Sequence, residues 1–184
     1  MEESFTFMCA HLSLVIGGAS SGKSDIAEKL ILSSGLPKVY LATAQAFDDE
    51  MTAKIARHRT DRGAGWVTID APLATGAALL GIEAGQIVLL DCATMWLSNH
   101  LLAGSDLARE QATLLDALAR CAAPVVVVSN EVGQGIVPDN ALARRFREAQ
   151  GALNRALAAQ AGQVIGVMAG LPFALKGALP KGVI

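Results

Sequence analysis

An apolar segment, Leu12-Ser13-Leu14-Val15-Ile16, runs directly into Gly17-Gly18-Ala19-Ser20-Ser21-Gly22-Lys23-Ser24. Few architectures accommodate such a junction, because a buried strand must hand over to a tight loop and the loop to a helix. The spacing G-x-x-x-x-G-K-S has a mechanical basis. Glycines let backbone N–H groups curl around phosphate oxygens, and the loop delivers the anion to the positive end of the next helix. Lys23 is expected to reach the β/γ-phosphates, and the Ser24 hydroxyl to ligate Mg²⁺. Ile26, Ala27, Leu30 and Ile31 follow at helical spacing, as a helix packed on a sheet requires. A glycine-rich turn without a ligand is the plain alternative, and the strand–loop–helix context weighs against it. A nucleoside triphosphate site is the expectation.

The rest of the chain alternates in the same way. Strands are expected at 38–44, 66–69, 86–91, 124–130 and 163–169, with helices at about 51–62, 72–83, 95–102, 107–121 and 140–160, then a short tail. Uniformly apolar strands separated by helices mark a parallel sheet covered on both faces. The fold expected is therefore α/β, a P-loop NTPase (RecA-like) three-layer sandwich with a mostly parallel central sheet. One domain spans 1–184, with 1–11 as a possible N-terminal extension. Ligands in such sheets gather at the carboxyl ends of the strands, so Gly17–Ser24, Thr43–Gln45, Asp91 and Ser129–Gly133 should converge. Asp91 ends a buried run and is the candidate metal-side acid, with a strand-end cap as the bland reading.

Composition narrows the partners. The net charge of −2 gives no field for a polyanion, so nucleic-acid binding is not expected. No run approaches the roughly 20 apolar residues of a membrane span. Cys9, Cys92 and Cys121 are odd in number and lack metal-ligand spacing, which suits thiols in a reducing, cytoplasmic compartment.

Glu50, Lys54, His58 and Arg62 recur every four residues along one helix face, with Arg57 and Arg59 beside the histidine. A solvated, salt-bridge-laced face is the plain reading. The functional reading is a triphosphate clamp with a nucleophile inside it, since nearby guanidinium groups oppose protonation of His58 and keep its imidazole able to attack phosphorus.

The phosphate loop combines with Tyr40-Leu41-Ala42-Thr43-Ala44-Gln45, Asp48-Asp49-Glu50-Met51 and Ile55-Ala56-Arg57-His58-Arg59. Further on stand Leu89-Leu90-Asp91-Cys92, Trp96-Leu97-Ser98-Asn99 and, most specific of all, Ser129-Asn130-Glu131-Val132-Gly133-Gln134-Gly135-Ile136-Val137-Pro138-Asp139-Asn140. Together with Arg144-Arg145-Phe146-Arg147-Glu148 and Gly151-Ala152-Leu153-Asn154, these blocks resemble the bifunctional adenosylcobinamide kinase/adenosylcobinamide-phosphate guanylyltransferase family of cobalamin biosynthesis over nearly the whole chain. The resemblance implies phosphorylation of adenosylcobinamide from ATP or GTP, followed by GMP transfer from GTP to adenosylcobinamide-phosphate through a GMP–histidine. By motif match His58 is the acceptor, and Lys23 the second catalytic residue. Nucleotide contacts are implied for Gly17, Gly18, Ala19, Ser20, Ser21, Gly22, Lys23, Ser24, Ala42, Thr43, Ala44, Arg59, Thr60, Asp61, Arg62, Asp70 and Asp91, with Ser24 and Asp91 on the metal. A homotrimer is implied as well.

Three positions depart from the family pattern. Ser20 stands where arginine is frequent, and Asp70 and Asp91 stand where glutamate is common. Each aspartate keeps the charge with a shorter reach. Glu131 reads either as a metal or substrate ligand or as a loop cap. Trp66 and Trp96 read as base or corrinoid covers or as core. His11 and His100 are read as structural, and Arg144, Arg145 and Arg147 either as contacts to substrate or a neighbouring subunit or, more plainly, as an exposed helix face. Besides a guanylyltransferase that has lost kinase activity, two other functions compete. A GTP-binding regulatory module would carry an Asn-Lys-x-Asp guanine reader, which this chain lacks; a monofunctional P-loop small-molecule kinase leaves the His58 cluster without a task.

Overall fold

The computed structural model describes residues 10–45 and 63–180. In chain order the elements are β1 (Leu12–Gly17), α1 (Lys23–Ser33), β2 (Lys38–Ala42), β3 (Trp66–Asp70), α2 (Thr75–Leu80), β4 (Ile87–Asp91), α3 (Ala93–Leu102), α4 (Leu107–Arg120), β5 (Val125–Asn130), α5 (Ala141–Gln160), β6 (Gln163–Met168) and β7 (Leu171–Lys176). They build one sheet in the order β3-β2-β4-β5-β1-β6-β7. All neighbours are parallel except β6 and β7. The chain adopts the expected mostly parallel, three-layer arrangement.

Alternation along the strands sorts side chains into two cores. Leu14, Leu41, Leu90 and Val127 face α2 to α5, where Leu79, Trp96, Leu118, Leu153 and Leu157 meet them. Val15, Tyr40, Leu89, Val126 and Ile165 face α1 and its Ile26, Ala27, Leu30 and Ile31. Burial on both faces explains why these strands read as continuous apolar runs. Trp96 is core, and Trp66 opens β3 at the end of the sheet opposite the phosphate loop. Two helix starts, those of α4 and α5, are set by short polar side chains. Asp106 accepts from the N–H groups of Ala108 and Arg109, and Asn140 from that of Ala143.

Two expectations need correction. The helix drawn over 72–83 is confined to Thr75–Leu80, since Gly81 ends it. The tail is not a tail but β7, antiparallel to β6. A two-residue turn joins them, with Ala169 at φ 51° and Gly170 at φ 78°. A hairpin turn with both central residues at positive φ matches the twist of paired strands. Pro172 is tolerated because β7 is an edge strand. Phe173 lies over Gly166, where a Cβ would come within 2.4 Å of its ring. The expected helix 51–62 and the possible extension 1–11, apart from its last two residues, lie outside the described residues.

Leu90 is fully buried on β4, between β2 and β5. Leu90→Ala should cost about 3 kcal/mol through lost transfer energy and a residual cavity. Urea unfolding should show this as a lower midpoint at unchanged slope.

Candidate nucleotide site at the carboxyl edge of the sheet

The strand register brings the expected segments to one edge. Gly17 is opposite Asn130, Ala42 is opposite both Asp91 and Asp70, and Asp91 is opposite Val128. The phosphate loop, Thr43–Gln45, Asp91 and the start of the 131–140 loop therefore share one rim. His58, Arg59, Thr60, Asp61 and Arg62 lie outside the described residues.

The loop turns at two positions of positive φ. Gly22 has φ 90°, a conformation suited to glycine, and Ser20 has φ 54°. Gly18, Ala19 and Ser20 are exposed at the apex, whereas Lys23 is buried at the first turn of α1. Its ammonium donates to the Gly18 carbonyl at 3.1 Å, so the cation is folded over the loop. Ser24 follows on the same turn. Within Gly17–Ser24, Lys23 is the one charged side chain.

Neighbouring elements hold this loop from two sides. On one side, the Gly170 N–H of the β6–β7 turn donates to the Ser21 carbonyl at 2.9 Å. A Cβ on Gly17 would come within 2.5 Å of both the Val167 carbonyl and Ser21 Oγ. A Cβ on Gly22 would lie 3.2 Å from Gly170 Cα. On the other side, the Glu131 N–H donates to the Gly17 carbonyl at 3.0 Å.

Asp91 lies half-buried at the end of β4 and accepts from the Tyr40 hydroxyl at 2.8 Å. The next residue is tied down as well. The Cys92 N–H donates to Thr43 Oγ1, and the Thr43 hydroxyl donates to the Cys92 carbonyl, both at 2.8 Å. Asn99 Nδ2 then donates to the Thr43 and Pro72 carbonyls. Thr43 is thus a buried joint between the ends of β2 and β4, with its hydroxyl committed to backbone. Ala42 and Ala44 flank it at the rim, partly accessible. Asp70 ends β3 and is exposed. Burial, and after it the neighbouring Asp91 carboxylate, raises the Cys92 thiol to about 11, which keeps it protonated.

The 131–140 loop is held from α5. Ser129 Oγ donates to Asn154 Oδ1 at 2.6 Å, Gln150 Nε2 reaches both, and Asn154 Nδ2 donates to the Asn130 carbonyl. Arg147 donates to the Gly133 carbonyl, and Arg144 to those of Pro138 and Asp139. Glu131 caps its own loop by accepting from the Gly133 N–H. Of the alternatives open in the sequence, the cap is thus the geometry observed for Glu131. Arg144 and Arg147, read there as a plain exposed face, are backbone clamps. His100 is structural as expected, buried against Trp96 with ring nitrogens facing Ser105 Oγ and the Leu73 carbonyl.

Two supports escaped the sequence reading, the Ala169–Gly170 turn and the Tyr40 hydroxyl. The first leaves a trace as a glycine between two apolar runs. The second leaves none, because it needs the β2–β4 register.

A phosphate loop at the carboxyl edge of a parallel sheet, with a buried lysine and an acid on β4, one strand beyond β1's neighbour β5, defines a P-loop nucleotide-binding protein. The family model described as cobinamide kinase / cobinamide phosphate guanyltransferase matches residues 13–175. The bifunctional adenosylcobalamin biosynthesis protein CobP of Pseudomonas aeruginosa is 46% identical over 167 residues, covering 89% of this chain and 96% of that protein. The bifunctional adenosylcobalamin biosynthesis protein CobU of Escherichia coli is 41% identical over 179 residues, covering 89% and 98%. A solved structure from Pyrococcus horikoshii OT3 shares the fold at TM-score 0.52 and 11% identity, covering 95% of this chain and 90% of that one. The chain belongs to the cobinamide kinase / cobinamide phosphate guanylyltransferase family.

Gly17→Ala should collide with backbone and distort the loop, costing about 2 kcal/mol of stability by overpacking. Nucleotide affinity, measured by calorimetric titration with GTP, should fall by more than tenfold. Gly18→Ala meets open space and should keep the stability of the unaltered protein.

Proposed function

We propose that this chain is the bifunctional enzyme its family name describes, phosphorylating adenosylcobinamide from ATP or GTP and then transferring GMP from GTP to adenosylcobinamide-phosphate. Family membership across residues 13–175, together with a fully formed phosphate loop, is the observation that carries this reading. The GMP passes through His58, assigned by its motif and by the flanking Arg57, Arg59 and Arg62. Attack by the imidazole on the α-phosphorus of GTP forms a phosphorus–nitrogen bond and breaks the α–β anhydride bond, releasing pyrophosphate. The phosphate oxygen of the corrinoid then attacks the same phosphorus and returns the imidazole.

Lys23 and the loop amides bind the phosphates and hold the charge that develops on departing pyrophosphate, or on the transferring γ-phosphoryl in the kinase step. Lys23 exchanges the Gly18 carbonyl for phosphate oxygen as nucleotide enters. Ser24 and Asp91 are the residues that would hold Mg²⁺, and an all-oxygen pair of hydroxyl and carboxylate suits that hard cation. Among the described residues no group of three His, Cys, Asp or Glu side chains gathers to hold a metal. A single hydroxyl and a single carboxylate fit an ion held largely by substrate phosphates and water. Bound there, Mg²⁺ would neutralise phosphate charge.

The enzyme is further proposed to be a cytoplasmic homotrimer. Free, buried Cys92 and Cys121 suit a reducing compartment, and no helix among the described residues is long and apolar enough to cross a membrane. Ile136, Val137 and Leu142, close in sequence to the start of α5, are each exposed apolar side chains of the kind subunit contacts cover.

With Mg²⁺ and GTP labelled at the α-phosphate, the denatured protein should carry acid-labile label. His58→Ala should lose the label while still phosphorylating adenosylcobinamide, and Lys23→Ala should lose both activities by about a hundredfold or more. Phosphorylation without label in the unaltered protein would leave only the kinase.

A further inference from the structure

Asp91 is the last residue of β4, and its carboxylate is one methylene away from a strand whose backbone is pinned at Thr43 and Cys92. The backbone is therefore fixed, while the carboxylate can still rotate about its own bonds. One contact limits that rotation. Tyr40 is opposite Leu89, two positions before Asp91, and on the same face of the sheet, so its ring rises along the strands and its hydroxyl reaches Asp91 Oδ2 at 2.8 Å. The ring itself is seated. It is buried, meets Trp66 edge to face at 6.1 Å, and Trp66 in turn lies beneath the Lys38 ammonium at 5.8 Å. The α1 face on which Tyr40 and Asp91 stand is also the one against which Lys23 opens its helix.

We infer that Tyr40 is a positioning residue whose hydroxyl holds one oxygen of Asp91 so that the other is presented to the metal of the nucleotide complex, an inference that rests on the proposed role of Asp91. The chemistry favours a tyrosine here. Its hydroxyl donates to the carboxylate without adding a charge. A lysine in its place would neutralise the acid and compete with the cation for it. A charge-assisted hydrogen bond also outlasts the arrival of the metal, because a carboxylate has lone pairs for both. The rigid ring sets the distance, and the Trp66 and Lys38 stack prevents it from swinging away.

The test measures metal binding without turnover. Mn²⁺ would be titrated into the protein with β,γ-imido-GTP and free ion read by electron paramagnetic resonance, for the unaltered protein, Tyr40→Phe and Asp91→Asn. Tyr40→Phe keeps the ring and should raise the half-saturating metal concentration about tenfold. Metal-free affinity for the analogue should stay within about twofold, and kcat at saturating Mg²⁺ within about threefold. A residue that only supported the fold would lower nucleotide affinity and metal affinity together. Asp91→Asn should raise the half-saturating concentration further. If Asp91→Asn shifts it and Tyr40→Phe does not, Asp91 binds the metal and Tyr40 does not orient it. If neither shifts it, the assignment of Asp91 fails and the inference fails with it.

A second measurement does not depend on how well Tyr40→Phe folds. Tyr40 is the sole tyrosine of the chain, so 3-fluorotyrosine incorporated during expression gives a single ¹⁹F resonance. Adding Mg²⁺ to the complex with the GTP analogue should shift that resonance in the otherwise unaltered protein and leave it in place in Asp91→Asn. A resonance indifferent to metal in both proteins would overturn the inference.

Discussion

Gly17 has no room for a side chain, and the arrangement of the whole nucleotide rim follows from that contact. It is the point where β1 ends, where the Glu131 N–H reaches its carbonyl, and where the Val167 carbonyl and Ser21 Oγ close over the Cα. A side chain there would push the returning loop off β6 and lift the first turn of α1 away from the sheet. With hydrogen in that position, the loop folds back tightly enough for Lys23 to lie over Gly18. The strand order is adapted to the same need. Placing β1 between β5 and β6 gives the loop a neighbour on each side, one reached through Glu131 and the other through Gly170.

Polar side chains buried behind this rim do work that apolar packing could not. Thr43 joins the ends of β2 and β4 through both the N–H and the carbonyl of Cys92. Ser129, Gln150 and Asn154 join the end of β5 to α5. A parallel sheet frays at its carboxyl edge, because the backbone leaves the ladder there and its polar groups need other partners. At this edge the partners come from side chains on neighbouring strands and helices. The strand ends are thereby fixed in relation to one another, which a site assembled from four different strands requires.

Where one residue's surroundings were decisive, the fold could be read from the chain. Val125 to Val128 or Ile87 to Leu90 must be buried on both faces, and that identifies a central parallel strand without further information. β7 was missed for the opposite reason. Its Leu171, Phe173 and Leu175 are substantially exposed, Pro172 interrupts it, and the preceding turn uses alanine at a position where Asn, Asp or Gly is usual. The site divides along the same line. The phosphate loop is contiguous, so its role was legible, and Asp91 was legible because strand and acid are contiguous too. The Tyr40–Asp91 contact spans 51 residues of sequence. The clamps from Arg144 and Arg147 depend on how a loop returns to its own helix. Charge patterning could not distinguish these arginines from a solvated face, since both readings place cations at helical spacing.

A loop held this firmly constrains how two reactions can share it. The kinase step needs the γ-phosphorus in line with the corrinoid hydroxyl, whereas the proposed guanylyl step needs the α-phosphorus in line with an imidazole. Those atoms are two phosphate units apart along one nucleotide. A mobile loop could follow the phosphates from one position to the other. Here Gly17, Ser21 and Gly22 are each packed or hydrogen-bonded against β6 or its turn, and the carbonyl of Gly17 is bonded to the root of the next loop. The anion cradle is therefore the fixed frame. What changes between the two steps must be the part of the triphosphate seated in it, together with the groups that meet the nucleotide from outside the sheet edge. Lys23 suits such a frame, because a flexible chain ending in a point charge follows phosphate oxygens that a planar guanidinium would hold to one geometry. The same economy explains why a serine at position 20 is compatible with the loop. The backbone amides already define the cradle, and a second cation at its apex is not needed to form it.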